Sequence, residues 1–333
     1  MSAPARARGA VDGPGGTGPE PCRRERRAIA GPALGLAITA LLAGDARGQT
    51  PMERLEIEAN GFVFEARAAG PEDGPLVLML HGFPQSSFEW RRQMPALAAL
   101  GFRVVAPDQR GYSPRARPDE VEAYAIPHLV GDVLAIAEAL GHERFHLVGH
   151  DWGGAVAWFT AMMRPGHVLS LVSVSTPHPF AFSRALSNPG GEQAGMSGYM
   201  TMLRSDSAEA LLLADDAAAL RGIYEGAGLT GEEIDVYVDL LGSPEAIGAA
   251  LHWYRAMVLP TRQPPVSPVR VPTMYVWSTD DIALGREAAE LTAEFVEGPY
   301  RFEVLEGVGH WVPEEAAGRL NGLLAEHLAP YAP

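Results

Sequence analysis

Gly149-His150-Asp151-Trp152-Gly153-Gly154 is the stretch on which the reading of this 333-residue chain turns. It follows a short apolar run ending at Val148 and opens an apolar helical stretch, Gly153–Met163. A strand that turns sharply into a helix brings two backbones together. The positions two before, two after and three after the apex must then be small. All three are glycine here. The apex residue is held strained with its side chain exposed, which is how such a turn presents a nucleophile. That residue is Asp151. A carboxylate is already ionised at neutral pH, so it needs no base to deprotonate it and can attack carbon directly. The helix N-terminus behind it helps keep it anionic. Aspartate as an ordinary helix cap is the competing reading; the flanking glycines and the preceding strand favour the elbow.

Outward from this turn, strand and helix alternate. Leu55–Glu58 and Phe62–Ala66 have period two with Asn60-Gly61 between them, a hairpin at a sheet edge. Leu76–Leu80 is a continuous apolar run, as expected of a strand buried on both faces. Similar runs recur at Phe102–Ala106, Phe145–Val148, Leu169–Val174, Met274–Trp277 and Phe302–Leu305. Helical stretches lie between or after them at Phe88–Leu100, His128–Leu140, Gly153–Met163, Arg286–Val296 and Glu314–Leu328. The pattern predicts a mostly parallel sheet covered on both sides, an α/β architecture. From His178 to about Val271 no strand is evident, and the segment reads as an inserted helical lid. The expected organisation is a core of 52–177 and 265–333 with a lid at 178–264.

Three further elements fit the turn. His81-Gly82-Phe83-Pro84 ends the run Leu76–Leu80, where a loop can lend a backbone N–H to an oxyanion hole, paired with the N–H after the nucleophile. Those donors would be Phe83 and Trp152. Among ten histidines, His310 in Gly307-Val308-Gly309-His310-Trp311 falls between the last strand and the last helix, the place for a general base. Ser278-Thr279-Asp280-Asp281 follows the strand Met274–Trp277 and offers an acid to fix the imidazole tautomer. Asp281 is preferred on its spacing from the strand end, with Asp280 as a turn residue. The chain order nucleophile, acid, histidine agrees.

These motifs together resemble the α/β-hydrolase fold, and within it the epoxide hydrolases, over about residues 53–330. The resemblance implies an Asp151 ester as intermediate, hydrolysed by water that His310 activates with Asp281 behind it. It implies neither metal nor organic cofactor, and a substrate that is a small apolar or weakly polar epoxide. Two lid tyrosines would donate to the epoxide oxygen. Tyr254 in His252-Trp253-Tyr254-Arg255 resembles the family's N-W-Y-R with His for Asn, and Tyr199 in Ser197-Gly198-Tyr199-Met200 matches the second, with Tyr224 and Tyr237 also in the lid. His81, Pro84 and His150 are expected at the substrate pocket.

Haloalkane and haloacetate dehalogenases share the motifs and are the nearest alternative. A haloacetate enzyme would need two arginines after the fourth strand; Arg110 is present, but Ser113 stands where the second is expected, with Arg115 and Arg117 beyond it. A haloalkane enzyme needs side-chain N–H donors for halide, of which Trp152 supplies one. A non-catalytic small-molecule-binding protein on the same scaffold is the reading of another class, against which every expected catalytic position is filled.

Composition narrows the partners. Twenty-six basic and 41 acidic residues give −15, which disfavours nucleic acid as a partner because its recognition needs clustered positive charge. Cys22 is the sole cysteine, excluding an internal disulfide and a cysteine-based metal site. Residues 1–51 differ in kind: seven arginines against four acids leave +3, so the remainder carries −18. Arg23-Arg24-Glu25-Arg26-Arg27, the apolar run Ala28–Gly44 and Ala46-Arg47-Gly48 together read as an export signal, loosely resembling the twin-arginine type. The apolar run, broken by Pro32 and glycines, is short for a stable membrane span. A translation start at Met52, directly before the first strand, is the alternative.

Overall fold

The computed structural model describes residues 52–260 and 266–333. The readings of residues 1–51, and the boundary drawn between 264 and 265, lie outside the described residues. Eight strands form one sheet: β1 (Glu53–Ala59), β2 (Phe62–Ala69), β3 (Leu76–Leu80), β4 (Arg103–Pro107), β5 (Phe145–His150), β6 (Val168–Val174), β7 (Thr273–Ser278) and β8 (Tyr300–Leu305), in the order β1-β2-β4-β3-β5-β6-β7-β8. The β1/β2 and β2/β4 pairs are antiparallel and all others parallel. Asn60 (φ 48°) and Gly61 (φ 81°) both take positive φ, the backbone that a two-residue hairpin turn needs to match strand twist.

β3, β4 and β5 are buried at every position, which is why they read as unbroken apolar runs. One face of the sheet packs on the helices Ile126–Ala139 and Trp152–Met163 through Leu129, Val133, Val156 and Ala157. The other packs on Met94–Ala98 and Ala317–Leu328 through Leu97, Leu320, Leu324 and Leu328.

Three expected helices divide. Phe88–Leu100 becomes a 3₁₀ turn, Ser87–Arg92, followed by the helix Met94–Ala98; Pro95, lacking an N–H, sits in the first turn of the second piece, where none is needed. Arg286–Val296 becomes Arg286–Leu291 and a 3₁₀ turn, Thr292–Phe295. Glu314–Leu328 becomes Val312–Glu315 and Ala317–Leu328, separated at Ala316. Between β6 and β7 lie the helices Pro179–Leu186, Glu192–Met196, Tyr199–Arg204, Ala208–Gly226, Gly231–Leu241 and Pro244–Ala256, with no strand among the described residues of the interval. Thr230 and Glu233 form a capping box and Ser243 caps the next helix, so the start of each is fixed by local side-chain bonds to its first free N–H groups.

The β5-to-helix turn is as tight as its glycines require. A Cβ on Gly149 would lie 2.3 Å from the Gly153 carbonyl oxygen, and one on Gly153 would lie 2.1 Å from that of Leu80. Gly153→Ala should therefore cost at least about 3 kcal/mol, the upper end of overpacking, because its opponent is backbone. Gly166→Ala, which meets nothing within 4 Å, should be near neutral. Urea unfolding of both variants checks this; parental stability in Gly153→Ala would mean that the turn opens freely.

Candidate active site

The turn places Asp151 at φ 49° and ψ −120°, a left-handed conformation costly for a residue with a Cβ. The strain aims the carboxylate out of the sheet instead of along it. Phe83 N–H donates to Oδ1 at 2.8 Å, and Thr176 Oγ1 donates to the Asp151 carbonyl at 2.6 Å. A side chain at Gly82 would collide with Asp151 Cβ at 2.5 Å, so the loop before Phe83 reaches the aspartate because Gly82 has none. Of the two expected oxyanion donors, Phe83 is thus already bonded to the carboxylate. No bond from Trp152 N–H to that carboxylate is present among the described residues, although Trp152 is the first residue of the helix behind it.

His310 faces the other oxygen: its Nε2 lies 3.7 Å from Asp151 Oδ2, too long for a hydrogen bond. Its Nδ1 lies 3.1 and 3.0 Å from the two carboxylate oxygens of Asp281. Asp281 Oδ1 also accepts the N–H groups of Ala283 and Leu284 at 2.8 and 3.0 Å. Asp280 instead accepts from the exposed Thr279 hydroxyl. Of the two adjacent aspartates, the geometry thus puts Asp281 against the His310 ring. Burial opposes charge on both partners, but attraction wins for each. Asp281 is held below the usual carboxylate range by His310 and by the two N–H bonds. His310 is raised to about 9 by Asp281, then Asp151 and Glu89.

Tyr199 lines the same cavity as Asp151, whereas Tyr254 is not among the residues that line it. Tyr254 is buried with its ring 5.1 Å from Phe83, 5.2 Å from Trp152 and 6.3 Å from Tyr199, centroid to centroid. Burial first, then neighbouring negative charge including that of Asp151, pushes both hydroxyls above the ordinary tyrosine value. Both therefore stay protonated and able to donate. The rival lid tyrosines are committed elsewhere: Tyr224 donates to the Pro84 carbonyl and Tyr237 to Glu314.

The cavity measures about 240 Å³ and is mostly apolar, its walls including Ile126, Phe159, Phe182, Met200, Met257 and Leu284. Sequence reading did not identify these residues, which come from segments far apart in the chain. Phe159 alone carried a signal, two helical turns beyond Asp151. Among the described residues no group of three or more His, Cys, Asp or Glu side chains could hold a metal ion, and no helix is long and apolar enough to cross a membrane.

Comparison with known proteins shows the family. Residues 75–317 match the family model described as alpha/beta hydrolase fold. The chain belongs to the α/β-hydrolase family. Its curated relatives include epoxide hydrolase A of Mycobacterium tuberculosis (strain ATCC 25618 / H37Rv), 30% identical over 317 residues, covering 84% of this chain and 97% of the relative. Among solved structures, an epoxide hydrolase from metagenomes of hot environments is 31% identical at TM-score 0.74, covering 84% of this chain and 99% of the other. The Bacillus megaterium epoxide hydrolase in complex with an inhibitor is 27% identical at TM-score 0.75, covering 83% and 100%.

Three expected pocket residues of this α/β-hydrolase are corrected. His81, Pro84 and His150 do not line the cavity. His81 is buried; its Nε2 accepts the Gln109 N–H at 3.1 Å, so its Nδ1 carries the proton toward Gly82 O. Burial lowers it to about 4, making it a neutral brace for the loop. Pro84 offers its carbonyl to Tyr224, and His150 is fully buried beneath His310. Arg110 is committed to Asp132 through two bonds of 2.7 and 2.6 Å and to Ala123 O. Arg115 pairs with Glu56, and Arg117 donates to the carbonyls of Gly111, Tyr112 and Leu240. None of these three arginines lines the cavity, so none is placed to hold a haloacetate carboxylate there.

Histidine NMR titration separates the two adjacent aspartates without any substrate. Asp281→Asn should lower the His310 pKa from about 9 by more than about one unit, since removing a contacting anion favours the neutral ring. Asp280→Asn should leave it unmoved. The reverse order would reassign the acid.

Proposed function

We propose that the protein hydrolyses an epoxide to a vicinal diol through an ester on Asp151. The observation that carries this reading is the inequality of the two Asp151 oxygens beneath protonated tyrosines: Oδ1 is held by Phe83 N–H and Oδ2 is not. The relatives named as epoxide hydrolases support the same reaction class.

Oδ2 attacks an epoxide carbon in line, and the ring oxygen takes a proton from Tyr199 or Tyr254. A positioned acid of this kind contributes about 100- to 10,000-fold. Alkylation removes the Asp151 charge, one of the causes that raised His310. The imidazolium then becomes more acidic, and the proton it releases balances the one lost by the tyrosine. Neutral His310 now takes a proton from water, which adds to Cγ of the ester. The negative charge appears on Oδ1, where Phe83 N–H already points and Trp152 N–H is positioned to join it. Collapse expels the diol oxygen, which is protonated from His310. The remaining carboxylic acid returns its proton to His310 and restores the starting state. Asp281 orients the ring and stabilises its charged form throughout.

We take the helices between β6 and β7 as the lid, with Tyr199 lining the cavity that Asp151 also lines and Tyr254 packed against Phe83 and Trp152. The apolar cavity suits a small apolar epoxide. Residues 1–51 we propose as an export signal, on the arginines and apolar run that precede Met52; N-terminal sequencing of the secreted or periplasmic protein tests it.

His310→Gln should accept the substrate yet fail to release it, accumulating about one adduct per chain by intact mass, while Asp151→Ala shows none. Turnover at the parental rate in His310→Gln would place the base elsewhere. Chloride release from haloalkanes in preference to diol formation would move the reading to dehalogenation.

Tyr254→Phe and Tyr199→Phe should each slow ester formation by about 100-fold, the loss of one preorganised donor of roughly 3 kcal/mol. Ester hydrolysis should barely change. Rapid-quench kinetics resolves the two steps, and a double variant that opens epoxides at the parental rate would remove the tyrosines from the mechanism.

A further inference from the structure

Glu89 and His150 have no role in these steps, yet both are fully buried beside them. Glu89 Oε2 accepts the Gly82 N–H at 3.0 Å, in the residue before the Phe83 donor. Glu89 Oε1 lies 3.1 Å from His150 Nδ1. The opposite ring nitrogen, His150 Nε2, lies 2.9 Å from the His310 carbonyl oxygen. A carbonyl oxygen only accepts, so His150 Nε2 must carry a proton. Ser175 Oγ donates to the same carbonyl at 3.0 Å.

Nδ1 and Oε1 therefore face each other with a proton still to be placed. The two atoms lie 3.1 Å apart, and neither has another hydrogen-bond partner among the described residues. An ionised Glu89 against an unprotonated Nδ1 would oppose two lone pairs where no protein donor relieves them, a costly arrangement in a buried site. One proton between them removes the conflict, on either atom.

We infer that Glu89 and His150 share this buried proton and act as a positioning pair, tying the Gly82-Phe83 loop to the His310 loop across Asp151. His150 immediately precedes Asp151, so the bridge starts beside the nucleophile. It holds the oxyanion donor and the base at a fixed separation, which matters most when water adds to the ester. The kinetic consequence rests on the epoxide reading of the site; the shared proton does not.

Glu89→Gln preserves every bond without the extra proton: its oxygen can accept from Gly82 and its amide can donate to Nδ1. Glu89→Gln/His150→Phe keeps the Gly82 bond and leaves no unpaired charge, but frees the His310 carbonyl from the ring. With styrene oxide in rapid-quench experiments, Glu89→Gln should restore the parental ratio of ester formation to hydrolysis within about threefold. The double variant should lose at least about 30-fold in hydrolysis with ester formation little changed, so that the adduct accumulates. A folded double variant with the parental ratio, or with both steps reduced in parallel, would overturn the positioning role. Proton NMR of the parental protein at low temperature should also show a downfield resonance for the shared proton that Glu89→Gln removes. Its absence overturns the pairing whether or not the double variant folds. If His310→Gln forms no adduct either, the epoxide reading fails and the NMR result still decides the pair.

Discussion

The hydrogen bond from Phe83 N–H to Asp151 Oδ1 is the contact on which the rest of the site depends. A free carboxylate has two equivalent oxygens, and a site must break that symmetry before one can attack and the other can later receive charge. Here the backbone breaks it. Gly82 lets the loop approach, the strained φ of Asp151 presents the carboxylate, and Gly149 and Gly153 let the strand turn closely enough for both. In the proposed mechanism the donor occupies in the resting state the position where charge would develop later, so little reorganisation would be needed at the moment of reaction.

What could be read from the sequence were positions that local backbone geometry dictates. The turn at Asp151 needs small residues at fixed offsets, and the parallel strands need apolar runs; both requirements are written in consecutive residues. His310 and Asp281 were legible because chain order places them after particular strands. Asp280 and Asp281 differ through two backbone N–H groups, of Ala283 and Leu284, that reach only one of them. Tyr199 required a helix carried to the cavity from the inserted segment, and only the resemblance pointed to it. His150 shows the limit of adjacency. It precedes Asp151 at the end of β5, where successive side chains leave opposite faces of the sheet, so the neighbour of a nucleophile points away from the cavity. Apart from Phe159, on the helix that follows Asp151, the cavity walls are assembled from separate helices and loops and leave no local pattern to read.

Burial acts on Tyr199, Tyr254, Asp281 and His310 alike, and neighbouring charge separates their outcomes. The tyrosine hydroxyls, with anions nearby, are kept neutral by both effects. His310 is subject to the same burial, yet two carboxylates beside it reverse the sign and raise it to about 9. In the proposed mechanism the difference matters, because the Asp151 charge would be consumed by the first chemical step and the Asp281 charge would not. A histidine that rests protonated beside an anionic carboxylate cannot act as a base, nor draw a proton from water prematurely. When the nucleophile becomes a neutral ester, part of the field holding the proton disappears, and the ring becomes a base at the stage where one is needed. Asp281, bound by two backbone N–H groups, prevents the pKa from falling all the way to that of a bare buried imidazole. The order of the two steps therefore follows from which carboxylate is free to react and which is tied to the backbone.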